Sequence, residues 1–139
     1  MSEISRVVHT ARTRTIGGRD GISRSSDGYL DIRLAAPDSG RIGTNPEHMF
    51  AAAWSACFEH AIGLVAGQRG IALPTAVTID AEVDINVAGD DYFLSARLDV
   101  SMPGVERNAA QAVIDEAHRI CPYSKAIRGN IDVAVRLVG

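Results

Sequence analysis

The chain carries two cysteines, Cys57 and Cys121, and their thiols are its strongest candidates for covalent chemistry. A thiolate is the reactive form of cysteine, and two thiols that meet can form a disulfide and release it again by thiol–disulfide exchange. Cys57 lies midway along an apolar stretch, whereas Cys121 directly precedes Pro122, which should break a helix and leave a backbone able to move. The alternative is that both cysteines are unreactive core residues, because free cysteine is among the most buried residue types.

Histidines near both cysteines suggest a second kind of site. The patterns Cys57-x-x-His60 and His118-x-x-Cys121 each place a cysteine and a histidine three positions apart. On two helices, these four side chains have a spacing that can hold a zinc ion. Against this, a histidine on a helix such as the one with His118 is more often a surface or hydrogen-bonded residue. We therefore expect no metal, and metal analysis of the purified protein tests this expectation.

Length, charge and hydropathy limit the classes of function. The 139 residues predict a single domain over 1–139, and the net charge of -3 offers no basic surface for nucleic acid. The N-terminus lacks the apolar segment of a secretory signal. The longest apolar stretch, Met49 to Ala66, is interrupted by Ser55, Glu59 and His60, which favours a buried core helix over a membrane span. We expect a cytoplasmic protein, in a compartment where structural disulfides are rare.

Hydrophobic periodicity indicates which elements must position the two cysteines. Strands are predicted at 5–14, 22–24, 29–35, 75–87, 92–102 and 131–138. Helices are predicted from Thr44 or Asn45 to about Gln68 and from Val105 or Glu106 to Ile120, with a helical turn at 123–128. This order predicts an α+β fold with two antiparallel sheet fragments around a central buried helix. Neither fragment covers that apolar helix alone, so a dimer sharing the core is expected.

Several short motifs occur in a characteristic order along nearly the whole chain. They are Gly17–Gly21, Ser25–Gly28, Gly43–Glu47, Ser55–Phe58, Ile120–Ser124 and Arg128–Val133. In this order they resemble the organic hydroperoxide resistance family, part of the osmotically inducible thiol-peroxidase superfamily. The Cys-Pro-Tyr-Ser and Arg-Gly-Asn-Ile-Asp-Val segments are the specific ones. The chain departs from the family pattern at Glu59-His60, in its short loop over 36–43, and at Lys125-Ala126-Ile127, where Asn-Ala-Thr is common.

The resemblance implies a peroxidase that reduces organic hydroperoxides in an intertwined homodimer with a site at each subunit interface. Cys57 would be the peroxidatic thiolate and Cys121 the resolving thiol. Arg19 would be the catalytic arginine, with Glu47 as its carboxylate partner. The implied reductant is a dihydrolipoyl group carried on a protein, and no bound cofactor is implied. The alternatives are another peroxidase of the osmotically inducible type and a non-catalytic ligand-binding or redox-sensing relative of the same fold.

The chemistry of these residue types is consistent with the implied roles. A guanidinium at Arg19 would lower the pKa of Cys57 and stabilise the developing alkoxide, and a carboxylate at Glu47 could hold that guanidinium. Glu47 can equally belong to a helix capping box with Thr44. Glu47 precedes Cys57 by ten residues, roughly 15 Å along one helix, so which chain supplies it stays open. The apolar side chains near Cys57 suit an alkyl tail: Met49, Phe50, Trp54 and Phe58.

Overall fold

The chain divides into two compact units. The computed structural model describes residues 3–73 and 76–139 and separates unit 1, Met1–Pro46, from unit 2, Glu47–Gly139. Each unit contains a three-stranded sheet. The α+β class with a long central helix is therefore confirmed, while the single domain over 1–139 stays a prediction.

Unit 1 is a meander of three short strands. Strands β1 (Thr13–Ile16), β2 (Ile22–Ser25) and β3 (Asp31–Arg33) pair antiparallel in that order. Because Ile16 pairs with Ile22, residues 17–21 form the tip of the first hairpin. The tip contains a 3₁₀ turn over Gly18–Asp20. The backbone conformation on one side of this turn and the close backbone contact on the other both favour glycine. Gly17 has a φ of 84°, and a Cβ on Gly21 would lie 1.7 Å from the carbonyl oxygen that ends β1.

The strand predicted over 5–14 is wrong for most of its length. Residues 3–12 have no regular secondary structure and are exposed, and pairing begins only at Thr13. A strand needs a partner, and β2 is only four residues long, so it pairs with four residues of β1. The strand predicted over 29–35 is likewise reduced to β3.

Unit 2 contains the two long helices and the larger sheet. Helix α1 (Pro46–Gln68) leads into strands β4 (Thr78–Ala88) and β5 (Asp91–Ser101), which pair as an antiparallel hairpin. Helices α2 (Arg107–Ile120) and α3 (Pro122–Ile127) follow, and strand β6 (Asp132–Leu137) completes the sheet in the order β4-β5-β6. The start predicted for the first of these strands, Thr75, lies outside the described residues.

The prediction of two antiparallel fragments is wrong for this second sheet, because β6 runs parallel to β5. Parallel neighbours need a crossover connection, which returns the chain to the end where the previous strand began. Helices α2 and α3 form that connection here. The first sheet is thus antiparallel and the second is mixed.

Helix α1 is buried along one stripe only. Its buried residues pack in the core of unit 2 and are Trp54, Phe58, Ala61, Ile62, Val65 and Ala66. On another side Leu64 keeps 49% of its surface exposed. The helix is also long and apolar enough to cross a membrane, by length and composition only, as core helices of soluble proteins can be as well. Its apolar residues therefore exceed what one copy of unit 2 buries.

Candidate functional site

The two cysteines meet inside unit 2. The sulfur atoms of Cys57 and Cys121 lie 3.5 Å apart, although the residues are separated by 64 positions in sequence. Both are free thiols. A disulfide requires a sulfur–sulfur distance of about 2.05 Å, so an approach of about 1.5 Å would join them. The arrangement is thus a dithiol able to form a disulfide through a small local movement.

The sequence around Cys121 explains its position between two helices. Cys121 has an extended backbone, with φ -60° and ψ 123°, because the following Pro122 disfavours the helical conformation. Its N–H donates to the carbonyl oxygen of Ala117 at 2.8 Å, which closes α2. Its own carbonyl oxygen accepts from the N–H of Lys125 at 2.9 Å, which opens α3. Proline at the first position of a helix is tolerated, since that N–H has no helical acceptor.

The two thiols differ in their access to solvent. Cys121 is completely buried in the core, whereas Cys57 lies at the edge of the buried stripe of α1 and keeps part of its surface. Access favours reaction at the more exposed sulfur. A solvent-borne oxidant therefore meets Cys57 before Cys121.

A buried hydrogen bond joins the two segments that carry the cysteines. The indole Nε1–H of Trp54 donates to the hydroxyl oxygen of Ser124 at 3.1 Å, and both side chains are fully buried. Trp54 lies three residues before Cys57, and Ser124 three residues after Cys121. A buried polar group costs free energy when it has no partner, so this bond favours the arrangement in which α1 and α3 are adjacent.

The local environment disfavours ionisation of Cys57. Burial raises the pKa of the Cys57 thiol, and the neighbouring Cys121 raises it further. The backbone N–H of Tyr123, in the first turn of α3, donates toward the Cys57 sulfur and lowers its pKa in opposition. The net direction is upward, so a reactive thiolate at this position requires an added positive charge.

The histidines of the possible zinc pattern behave differently from each other. His118 is half-buried against Phe58, with ring centroids 6.3 Å apart, whereas His60 is exposed. Burial lowers the pKa of His118, and the charge of Arg128 lowers it further. Within residues 3–73 and 76–139, no group of three or more His, Cys, Asp or Glu side chains could hold a metal ion.

The other predicted site residues lie as follows. Arg19 is exposed in the 3₁₀ turn of unit 1, and Glu47 is half-buried in the first turn of α1. Both take part in further interactions of the structure. Their catalytic roles stay predictions.

The predicted substrate-binding residues fall into two groups. Met49 and Phe50 are half-buried, and Phe50 contacts Trp54 edge to face with centroids 6.3 Å apart. Trp54 and Phe58 have no exposed surface. An alkyl tail can touch the first pair directly, while the second pair lies behind them in the core, so substrate contact by any of the four stays a prediction.

Sequence reasoning missed two contributors to this site, Ser124 and the backbone N–H of Tyr123. The Cys-Pro-Tyr-Ser motif contained both, but no local pattern indicates which distant group a serine hydroxyl or a backbone N–H will meet. It also missed Arg128, whose guanidinium donates to the carbonyl oxygen of His118 at 2.8 Å. No local signal indicated this contact, because Arg128 follows α3 and lies eight residues beyond the end of α2.

The α+β fold and the paired free thiols define a candidate dithiol redox protein, and comparison with known proteins specifies its family. A family model described as OsmC-like protein matches residues 37–136. An organic hydroperoxide resistance protein of Xanthomonas axonopodis pv. citri is 40% identical over 99% of each chain. The organic hydroperoxide resistance protein OhrA of Bacillus subtilis is 37% identical, over 96% of this chain and 99% of its own.

A solved structure agrees with these relatives. An organic hydroperoxide resistance protein from Legionella pneumophila superimposes with a TM-score of 0.90 at 36% identity, covering 96% of this chain and all of the other. The chain therefore belongs to the organic hydroperoxide resistance family within the OsmC-like superfamily.

Proposed function

We propose that this protein is a cysteine-based peroxidase that reduces organic hydroperoxides to alcohols. The observation that carries the proposal is the 3.5 Å contact between the sulfurs of Cys57 and Cys121. Membership of the organic hydroperoxide resistance family supplies the substrate class, an alkyl or lipid hydroperoxide. The half-buried Met49 and Phe50 support the preference for an alkyl tail over hydrogen peroxide.

In the first step the Cys57 thiolate attacks the terminal oxygen of the hydroperoxide. The sulfur–oxygen bond forms as the oxygen–oxygen bond breaks, and the alkoxide takes up a proton to leave as the alcohol. Cys57 is oxidised to a sulfenic acid. Its partial exposure supports this assignment over the fully buried Cys121.

In the second step the Cys121 thiol attacks the Cys57 sulfenic sulfur. A disulfide forms and water leaves with the thiol proton, so the two electrons given to the hydroperoxide are now missing from the cysteine pair. The extended backbone of Cys121 at the break between α2 and α3 supports the small movement required. An external dihydrolipoyl-type dithiol then restores both thiols by thiol–disulfide exchange and leaves as its own cyclic disulfide.

Arg19 supplies the positive charge that Cys57 requires in this mechanism. Burial raises the pKa of Cys57, so a permanently charged guanidinium has an upward shift to overcome. The same guanidinium stabilises the alkoxide as it forms. Glu47 orients the guanidinium through a carboxylate–arginine contact, supplied by its own chain or by a partner.

We further propose that the active form is a homodimer. Helix α1 is apolar nearly all round but is buried on one stripe, and several large apolar side chains of unit 2 stay exposed in the single chain. They include Leu64, Ile85, Val87, Tyr92 and Phe93. Exposed apolar surface of this kind is expected to be covered in an assembly. Sedimentation over a range of protein concentrations tests this, and a monomer at every concentration contradicts it.

A cytoplasmic location follows as part of the same proposal. The cycle needs a reducing compartment, because an external dithiol must return the cysteines to their free state after each turnover.

Intact-mass analysis tests the catalytic proposal directly. One equivalent of cumene hydroperoxide should remove two hydrogens from the reduced protein, and dihydrolipoamide should restore them. Cys57→Ser should abolish consumption of the hydroperoxide, with the matched control Ser55→Ala on the same helix remaining active. Full turnover by Cys57→Ser refutes the mechanism, and stoichiometric ligand binding without consumption points instead to a non-catalytic relative.

A further inference from the structure

Two backbone hydrogen bonds close the hairpin tip that carries Arg19. Within residues 17–21, which we name the Arg19 turn, the N–H of Asp20 donates to Gly17 and that of Gly21 to Gly18, each at 3.2 Å. Both distances are at the long end for such bonds. Three of the five residues are glycines, the most flexible residue type, so the turn needs external support to hold Arg19 in one place.

That support comes from the loop over 36–43. The carboxylate Oδ1 of Asp20 accepts from Arg41 Nη2 at 2.6 Å and from the backbone N–H of Ala36 at 3.1 Å. The same Arg41 nitrogen donates to the backbone carbonyl oxygen of Asp20 at 3.0 Å. We name these three contacts the Asp20 clasp. It fixes both the side chain and the backbone of the residue next to Arg19.

The loop that forms the clasp is itself anchored to the sheet of unit 1. The N–H of Thr44 donates to Arg33 at 2.9 Å, and the N–H of Ala35 donates to Thr44 at 3.0 Å. A Cβ on Gly43 would lie 2.7 Å from the nitrogen of Ala35, so the backbones are in close contact. Arg41 therefore projects from a segment with fixed ends.

Solvent lies next to the clasp. An open cavity of about 570 Å³ is bordered by Asp20, Arg41 and Ile42, and Ile42 is 91% exposed. No packed side chain replaces the clasp if Arg41 is shortened, because the space beside it is already open. The Arg19 turn then loses both contacts from Arg41 and keeps the Ala36–Asp20 hydrogen bond and the bond from the N–H of Leu34 to the carbonyl oxygen of Gly21.

We propose that Asp20 and Arg41 are positioning residues, whose clasp holds the Arg19 guanidinium where it acts on the Cys57 thiolate. The inference rests on the proposed function of Arg19 and extends it to two residues that act through Arg19. Residues that hold a catalytic group in its productive geometry contribute to rate even when they take no part in the chemistry.

Because Asp20 and Arg41 carry opposite charges, the direction of the Cys57 pKa shift in each variant distinguishes positioning from a through-space effect of charge. Through-space charge alone predicts that Arg41→Ala raises the pKa of Cys57 and that Asp20→Asn lowers it. Loss of positioning predicts that both variants raise this pKa and slow oxidation. Each single variant should slow oxidation by cumene hydroperoxide about two- to fivefold, as expected for breaking an exposed ion-pair network. The double variant should be no slower than the slower single variant, because the Asp20–Arg41 ion pair is already lost in each single variant.

The experiment measures the Cys57 pKa from the ultraviolet absorbance of the thiolate and the oxidation rate by stopped flow. Arg41→Lys should recover most of the rate because it keeps the charge and a donor. The matched control is Arg24→Ala, which breaks a similarly exposed pair with Asp31 at 2.8 Å on the same sheet and should leave the rate unchanged. Equal unfolding midpoints for all variants exclude misfolding as the cause.

Arg19→Ala separates this inference from the proposed function. If Arg19→Ala slows oxidation but Asp20→Asn and Arg41→Ala leave it unchanged, or shift the Cys57 pKa in opposite directions, the clasp proposal is overturned and the proposed function stands. If Arg19→Ala leaves oxidation unchanged, the catalytic role of Arg19 is refuted, and the clasp proposal, which rests on it, is refuted too. In an Arg19→Ala background, loss of the clasp should have no further effect on the rate.

Discussion

The hydrogen bond between Trp54 and Ser124 is the clearest place to test how unit 2 holds its two thiols together. Ser124→Ala removes the only oxygen of that side chain and leaves the indole N–H, 3.1 Å from it in the native protein, buried without this acceptor. Both side chains are fully buried, so water does not replace the hydroxyl without disturbing the core. Leaving a buried donor unpaired costs about 1–3 kcal/mol of unfolding free energy.

Urea unfolding gives the measurement, and the protein supplies its own probe. Trp54 is the single tryptophan, so its fluorescence reports on this site alone. With a loss of about 2 kcal/mol and an m-value of about 2 kcal/mol per M, the midpoint should fall by about 1 M while the slope stays unchanged. Both cysteines must be kept reduced and the protein concentration held constant, because a disulfide or a dimer would change the apparent stability.

The control is Ser23→Ala, which removes another buried serine hydroxyl. Its partner, the hydroxyl of Thr15 at 2.9 Å, belongs to an exposed residue that can turn to water, so the cost should be far smaller. A double-mutant cycle with Trp54→Phe, followed by circular dichroism, should show coupling, because removing both partners leaves no unpaired donor. A midpoint for Ser124→Ala within experimental error of the native value refutes this account of the contact.

Three further outcomes are expected. Cys121→Ser should undergo one oxidation and stop as a Cys57 sulfenic acid, visible by mass as one added oxygen; turnover by this variant at the native rate with dihydrolipoamide contradicts the resolving role. His118→Gln should flatten the fall in stability below about pH 6.5, because the lowered pKa of His118 makes the unfolded chain bind more protons there and costs stability as the pH drops. An unchanged pH profile of urea midpoints refutes this. Gly21→Ala should lower the unfolding midpoint sharply, because its Cβ would lie 1.7 Å from a backbone oxygen, whereas Gly63→Ala meets nothing within 4 Å and should be tolerated.

Several features of the site were predictable because they depend on neighbours in sequence. The break at Cys121 follows from Pro122, whose ring restricts the residue before it, and the helix over Pro46–Gln68 follows from a long apolar run after a proline. The pairing of thiols was predictable only as a possibility. Each cysteine lies where one helix could bring it against the other, but no local pattern shows which distant segment a helix will pack against.

Strand pairing was less predictable, and both errors have the same origin. The alternation over 5–14 was a genuine strand pattern, yet β2 offers partners to only four residues of it. Alternation within β6 indicated a strand but not its direction, which depends on where α2 and α3 return the chain. Periodicity describes one segment, whereas a sheet is a relation between segments.

The sequence by itself determined the helices, the break before Pro122, the glycine-flanked turn around Arg19 and the family, because each depends on short-range sterics or on motifs readable along the chain. Only the tertiary structure decided that the sulfurs of Cys57 and Cys121 lie 3.5 Å apart, that Trp54 reaches Ser124 across 70 positions, and that Asp20 is held by Arg41. Such contacts join residues far apart in sequence, and they form only when packing of the whole chain compensates the entropy of closing the intervening segments.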